Sequence, residues 1–384
     1  MNFKNPKILI PQIVTVVSLI SIIGYFAFNA QVNMGNRGIS FGYGFLSQEA
    51  SFDIGFSLID YDGSMSYARA FLVGLLNTLL VSAVGIFFAT IIGVTVGVGR
   101  LSENFLIAKA AEIYVEIFRN IPLLLQLFFW YYAALRALPL PENAINILDV
   151  SYLTVKGWYV PKFLWTNFSV FLSSILASII AIVFVTKYAR KQREEIGKHV
   201  PTFSISFGIL ILFPLLTFLV GGVTLNFEVP VLSQMSATIF NFKGGVSIIP
   251  ELISLALALS MYTATFIAEN VRAGILGVTK GQKEAAASIG LTKGQILKLI
   301  VMPQALRIII PPTTNQYLNL TKNSSLAAAI AYPDIVLVFA GTALMQTGRA
   351  VEIISITMGT YLFISLCIST FMNWYNKSVA IKEK

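Results

Sequence analysis

The longest stretch of this 384-residue chain without Lys, Arg, Asp or Glu runs from residue 70 to residue 99, between Arg69 and Arg100. A helix needs about 20 consecutive, mostly apolar residues to cross a bilayer core. Runs near that length recur at 8–30, 110–135, 163–186, 201–227, 252–268, 299–338 and 353–376. The run at 110–135 is mixed, because Glu112, Glu116 and Arg119 fall in its first turns. The run at 299–338 contains Pro303, Pro311 and Pro312, which should kink it. The expectation is an all-α fold, a polytopic membrane helical bundle with about eight transmembrane helices. Composition agrees: 56% hydrophobic and 12% charged residues, about half the charged share of a soluble domain. The run at 8–30 also admits a cleaved signal peptide, since Lys4 and Lys7 precede it, but its apolar core is longer than a signal peptide needs.

Loop charges orient the chain. With the N-terminus in the cytoplasm, inside segments carry seventeen Lys and Arg and outside segments carry seven, while Arg119, Arg307 and Lys322 lie within spans. That asymmetry follows the positive-inside rule and places both termini in the cytoplasm. It also accounts for most of the +9 net charge without nucleic acid. The basic residues Lys187, Arg190, Lys191, Arg193 and Lys198 read first as an inside anchor and second as a contact for anionic lipid or a partner. The outside loops at 31–67, 139–162 and 228–243 are too short for an independent domain. The single Cys367 excludes an intramolecular disulfide, and the single His199 excludes a multi-histidine metal site. The chain has no G-x-x-x-x-G-K-[ST] phosphate loop, so ATP hydrolysis on this chain is not expected; H-E-x-x-H and G-x-S-x-G are missing as well.

The most informative inside segment spans 279–303. Thr279 with Gln282 and Thr292 with Gln295 each have the spacing of a capping box, which predicts two short helices. Gly290 between them suits the left-handed turn that ends the first helix. Ala285, Ala286 and Ala287 give that helix a smooth side for close approach, and Glu284 with nearby lysines offers ionic contacts. Two readings fit: a rigid docking knob, or an ordinary surface helix pair between spans.

The spacing Glu284-Ala285-Ala286, then Gly290, Ile300 and Pro303 resembles the EAA loop of ABC importer permeases, with Met302 in place of the usual Leu. Further blocks resemble the polar amino acid permease family. They are Tyr262 to Arg272 with Glu269, Gly281-Gln282, Pro303 to Arg307, Pro311-Pro312, and Lys322 to Leu326 with Asn323 for Asp. Upstream are Asn77-Thr78-Leu79 and Tyr114 to Gln126, with Asn120 for Gly. The blocks occur in order across about 70–376. Compact members lack the stretch at about 140–248; its two extra spans preserve orientation and resemble the long permeases of general L-amino acid and glutamate/glutamine importers. The expected organisation is an N-terminal helix and periplasmic loop (1–69), a permease domain (70–376) with a two-helix insertion at about 140–248, and a cytoplasmic tail (377–384).

The resemblance implies uptake of L-amino acids by alternating access in a bacterial inner membrane. It implies a separate ATPase dimer, a second and related permease that is expected to be a different chain, and a periplasmic amino acid-binding protein. No cofactor is expected on this chain; ATP and Mg would sit on the ATPase. Gly281, Glu284, Ala285, Ala286 and Gly290 would couple to that ATPase. Glu116, Arg119, Glu269, Arg272, Asn315, Asn319 and Lys322 are the candidates for the translocation path, and the charged ones at bilayer depth must face protein or water. Glu116 with Arg119 and Glu269 with Arg272 have the spacing of structural ion pairs, so both readings stand for them. The asparagines either line a wet path or hydrogen-bond neighbouring helices. Competing functions are a non-transporting structural subunit, an ion-coupled carrier and an intramembrane enzyme; the EAA spacing argues against the carrier.

Overall fold

The computed structural model describes residues 6–36, 42–197, 200–220, 222–236 and 239–379. Lys4, Arg37, Lys198, His199, Lys382 and Lys384 lie outside them. The helices are α1 (Pro6–Asn36), α2 (Tyr67–Gly99), α3 (Phe105–Asn120), α4 (Leu123–Phe128), α5 (Phe168–Ile196), α6 (Thr202–Leu219), α7 (Pro250–Leu276), α8 (Lys280–Ser288), α9 (Lys293–Ile296), α10 (Met302–Asn323), α11 (Leu344–Thr347) and α12 (Ala350–Val379). The chain forms two compact units, one of Met1–Tyr131 with Ser254–Lys384 and one of Tyr132–Ile253.

Among the described residues, six helices are long and apolar enough to cross a membrane: Ile10–Asn33, Tyr67–Gly99, Phe168–Arg193, Pro250–Leu276, Lys293–Ile330 and Ala350–Ser378. The two remaining expected spans are irregular. The run at 110–135 bends by 102° between Phe105–Asn120 and Leu123–Leu135. Ile121 is extended there, as a residue before proline prefers, and Pro122 opens the next helix. The run at 201–227 yields only the 18 residues of α6, and its end pairs as a strand instead.

In the run at 299–338 the helix does not end at Pro303, Pro311 or Pro312. A π-helical turn (Leu297–Val301) leads into α10, which continues through Pro311 and Pro312. Membrane helices tolerate such prolines because neighbouring groups satisfy the freed carbonyls. The break falls later, where Ala331 is left-handed (φ 59°) and Tyr332 precedes Pro333.

Small residues organise the first unit. The buried side of α2 carries Ala70, Gly74, Thr78, Ser82, Gly85, Ala89, Gly93 and Gly97, while Leu72, Phe87, Phe88, Ile91 and Val98 point outward. Without a hydrophobic drive between helices in lipid, close backbone approach supplies the packing. A Cβ on Gly93 would lie 2.6 Å from Ile267 Cβ, and one on Gly97 would lie 2.7 Å from the Ala268 carbonyl oxygen. The Gly93-x-x-x-Gly97 pair is therefore a true contact with α7. On α10, Tyr317 shares a 2.8 Å hydrogen bond with Thr90. Segment 42–66 joins the same core through Phe45, which packs among Tyr67, Ala70, Phe339 and Ile353.

The second unit departs from the all-helical expectation for its loops. α5 packs on α6, with Trp165, Phe168, Phe171 and Phe218 gathered at one end, as aromatic residues gather at membrane interfaces. Strands β1 (Ile145–Ile147), β2 (Ser151–Thr154), β3 (Gly157–Val160) and β8 (Val246–Ile248) form an antiparallel sheet in that order. β4 (Lys162–Trp165) pairs β5 (Leu225–Glu228), and β6 (Val231–Ser236) pairs β7 (Ile239–Lys243). The segments expected to be plain loops at 139–162 and 228–243 are largely strand.

Candidate coupling loop and translocation path

α8 and α9 form the expected short helix pair. Gly290 has φ +84°, and its N–H donates to the Ala287 carbonyl at 3.0 Å, closing the turn. The box at Thr292 is complete: Thr292 N–H donates to Gln295 Oε1 at 2.9 Å and Gln295 N–H to Thr292 Oγ1 at 3.4 Å. The box at Thr279 is not formed, since its side chain makes no capping bond. Thr279 is exposed, so water can take the first amide donors of α8, but Thr292 is exposed too and forms its box. Ala286 is buried and holds α8 to its own unit, whereas Gly281, Glu284, Ala285 and Gly290 face outward. Ile289 is 77% exposed, which gives the knob an apolar tip that the residue spacing did not single out.

Of the expected ion pairs, one forms. Arg272 donates to Glu269 Oε1 from Nε at 3.1 Å and from an Nη at 2.6 Å. The second oxygen, Oε2, is taken by Arg100, which the sequence offered only as a span boundary. No ion pair joins Glu116 to Arg119 among the described residues. Both are exposed on α3, where Arg119 sits in the last turn and meets the negative end of the helix dipole.

On α10, Asn315, Asn319 and Lys322 are exposed on one stripe, together with Ile308 and Pro311. Polar groups on the open face of a membrane helix require water or a protein neighbour. Asn315 and Asn319 make no hydrogen bond to neighbouring helices among the described residues.

Other polar residues proved structural. Gln126 donates through Nε2 to the carbonyls of Phe118 (2.7 Å) and Ile121 (2.9 Å), closing the end of α3 at the bend. Asn77 donates through Nδ2 to the carbonyls of Phe56 and Pro333, each at 2.9 Å. Tyr332 returns a bond to the Asn77 carbonyl at 3.0 Å, and Ile335 N–H donates to Thr78 Oγ1 at 3.0 Å. α2 thereby grips the break at 331–335. Asp334 and Glu352 are fully buried acids, and no spacing in the sequence marks them. Glu352 accepts from Gly42 N–H at 2.9 Å and from Arg349 at 3.4 Å.

Residues 195–381 match the family described as the binding-protein-dependent transport system inner membrane component. Over 100% of its length the chain is 47% identical to YhdX of Escherichia coli, named as a putative amino-acid ABC transporter permease protein, and it covers 97% of that protein. The chain belongs to this permease family. The permease is also 46% identical to the general L-amino acid transport system permease protein AapQ of Rhizobium johnstonii, over 97% of this chain and 92% of that one. It is 36% identical to the glutamate/glutamine/aspartate/asparagine transport system permease protein BztB of Rhodobacter capsulatus, over 97% and 93%. In this permease the span that matches the family contains α8, α9 and α10, and so both the knob and the polar stripe.

Proposed function

We propose that this permease is the membrane subunit of an ABC importer for L-amino acids, working by alternating access. The observation that supports the reading most is likeness over nearly the whole chain, second unit included, to a general L-amino acid permease. ATP hydrolysis belongs to a separate ATPase dimer, which binds the nucleotide and Mg, and a binding protein delivers the substrate. The permease pairs with a second, related chain. Both termini lie in the cytoplasm, in keeping with the loop charges, and 1–69, 70–376 and 377–384 are the leading helix with its loop, the permease domain with its insertion, and the tail.

In this reading α8 enters a cleft of the ATPase. Glu284 supplies a polar contact, Ala285 and the Gly281 backbone supply close fit, Ala286 anchors the helix from behind, and Gly290 sets the turn to α9. ATP-driven closure biases the pore between two states, one open inward and one outward. Asn315, Asn319 and Lys322 line the path, with Lys322 meeting the substrate carboxylate. Glu116 and Arg119 serve the path from α3, and Glu269 with Arg272 acts at the end of α7.

The test is reconstitution of the chain with ATPase, second permease and binding protein in liposomes, following labelled glutamate, leucine and histidine. ATP-dependent uptake of all three is expected. Uptake of glutamate alone would narrow the substrate class. No uptake by a verified assembly would overturn the reading.

A further inference from the structure

α8 is joined stiffly to α7: only residues 277–279 separate them, and Val278 among these is buried. A Cβ on Gly274, in the last turn of α7, would lie 2.3 Å from Ile309 Cγ1, so this end of the helix is in backbone contact with α10. Further back along α7, Glu269 binds Arg272 through one oxygen and Arg100 through the other. Arg100 is the C-cap of α2. About three turns in from its start at Tyr67, α2 holds the break at 331–335 through Asn77 and Thr78. From Thr78 to Arg100 α2 runs about 33 Å at 1.5 Å per residue. One rod therefore connects the neighbourhood of the knob to the turn at 331–335.

The pair is a poor device for stability alone. Partly buried charges lose hydration that their attraction only offsets. Removing Arg100 would still leave Glu269 paired with Arg272, so the carboxylate would not be stranded. Arg100 adds a charged join between α2 and α7 to their glycine packing and to the bond from Ser260 Oγ to the Gly85 carbonyl.

We propose that Arg100 is a positioning residue of the transport cycle: through Glu269 it clamps α2 to α7, so that displacement of α8 moves α2 and the turn at 331–335 it holds. Without the clamp, only the glycine packing and the Ser260 bond join α7 to α2, and less of the motion passes to the turn. This rests on the reading of α8 as the ATPase contact.

The test measures ATP hydrolysis and amino acid uptake separately, in liposomes holding the full complex. In Arg100→Ala, ATP hydrolysis should stay within about twofold of wild type while uptake falls about tenfold, as for an ordinary coupling energy. Arg100→Lys, which keeps the charge, should restore most of the uptake. Arg100→Ala combined with Glu269→Gln should lose no more coupling than Glu269→Gln alone. Hydrolysis and uptake falling in proportion would overturn the proposal in favour of a folding or assembly role, as would no change in either. A wild-type complex without ATP-dependent uptake would instead remove the functional reading, and the proposal with it.

Discussion

Asn77 Nδ2 lies 2.9 Å from the carbonyl oxygen of Pro333, a residue 256 positions further along the chain. The same amide group also serves Phe56. One side chain on α2 thus holds both segment 42–66 and the break after α10. Asn77→Ala leaves two carbonyls without their donor, at about 1–3 kcal/mol for a buried group left unsatisfied. The expected result is a lower thermal midpoint of the detergent-solubilised protein and faster protease cleavage within 42–66. Unchanged cleavage there would show that Asn77 does not hold the segment.

Gln126 holds the bend at Pro122 by donating to two carbonyls at the end of α3. Gln126→Glu keeps the size but, when ionised, offers acceptors only. Gln126→Glu and Gln126→Ala should therefore both destabilise the protein, again by about 1–3 kcal/mol. Thermal unfolding followed by tryptophan fluorescence checks this. A stable Gln126→Glu would assign the residue to packing rather than donation.

Gly97 packs its bare Cα against α7: a methyl group there would lie 2.7 Å from the Ala268 carbonyl oxygen and 2.8 Å from Val271 Cβ. Gly97→Val must push α2 from α7, and overpacking of this kind costs about 1–3 kcal/mol. A fall in thermal midpoint is expected for Gly97→Val and none for Gly281→Ala, since a Cβ at Gly281 meets nothing within 4 Å.

Gly290 has φ +84° and open space around it. The left-handed conformation costs most residues roughly 1–2 kcal/mol, and Asp visits it more readily than most. Gly290→Asp should therefore insert in the membrane in normal amounts while adding a charge to the knob. Uptake by the reconstituted complex should be lost. Poor insertion would point to a folding role instead.

Much of this was legible in local chemistry. The spans announced themselves as charge-free runs, and the turn at Gly290 and the box at Thr292 followed from residue types a few positions apart. Thr279 has the same spacing but forms no box, although Thr292 is exposed as well. Prolines alone do not locate the end of the helix: Pro311 and Pro312 lie within α10, whereas Pro333 follows the left-handed Ala331 at the break. Glu116 and Arg119 have pairing distance in sequence but remain apart on an exposed face. The strands of the second unit are short and lie between apolar runs, although Trp158, Tyr159 and Val160 favour strand. The roles of Arg100 and Asn77 depend on partners far away in sequence, which no periodicity encodes.

The most direct test of coupling through α8 compares wild type with Glu284→Lys in liposomes carrying the complete importer, with assembly checked by co-purification of the ATPase. Glu284 is exposed and makes no ion pair among the described residues, so its loss should leave the fold intact. ATP-driven amino acid uptake in the wild type, lost in Glu284→Lys while the protein still inserts, is the predicted result. Undiminished uptake with Glu284→Lys would contradict coupling through this helix.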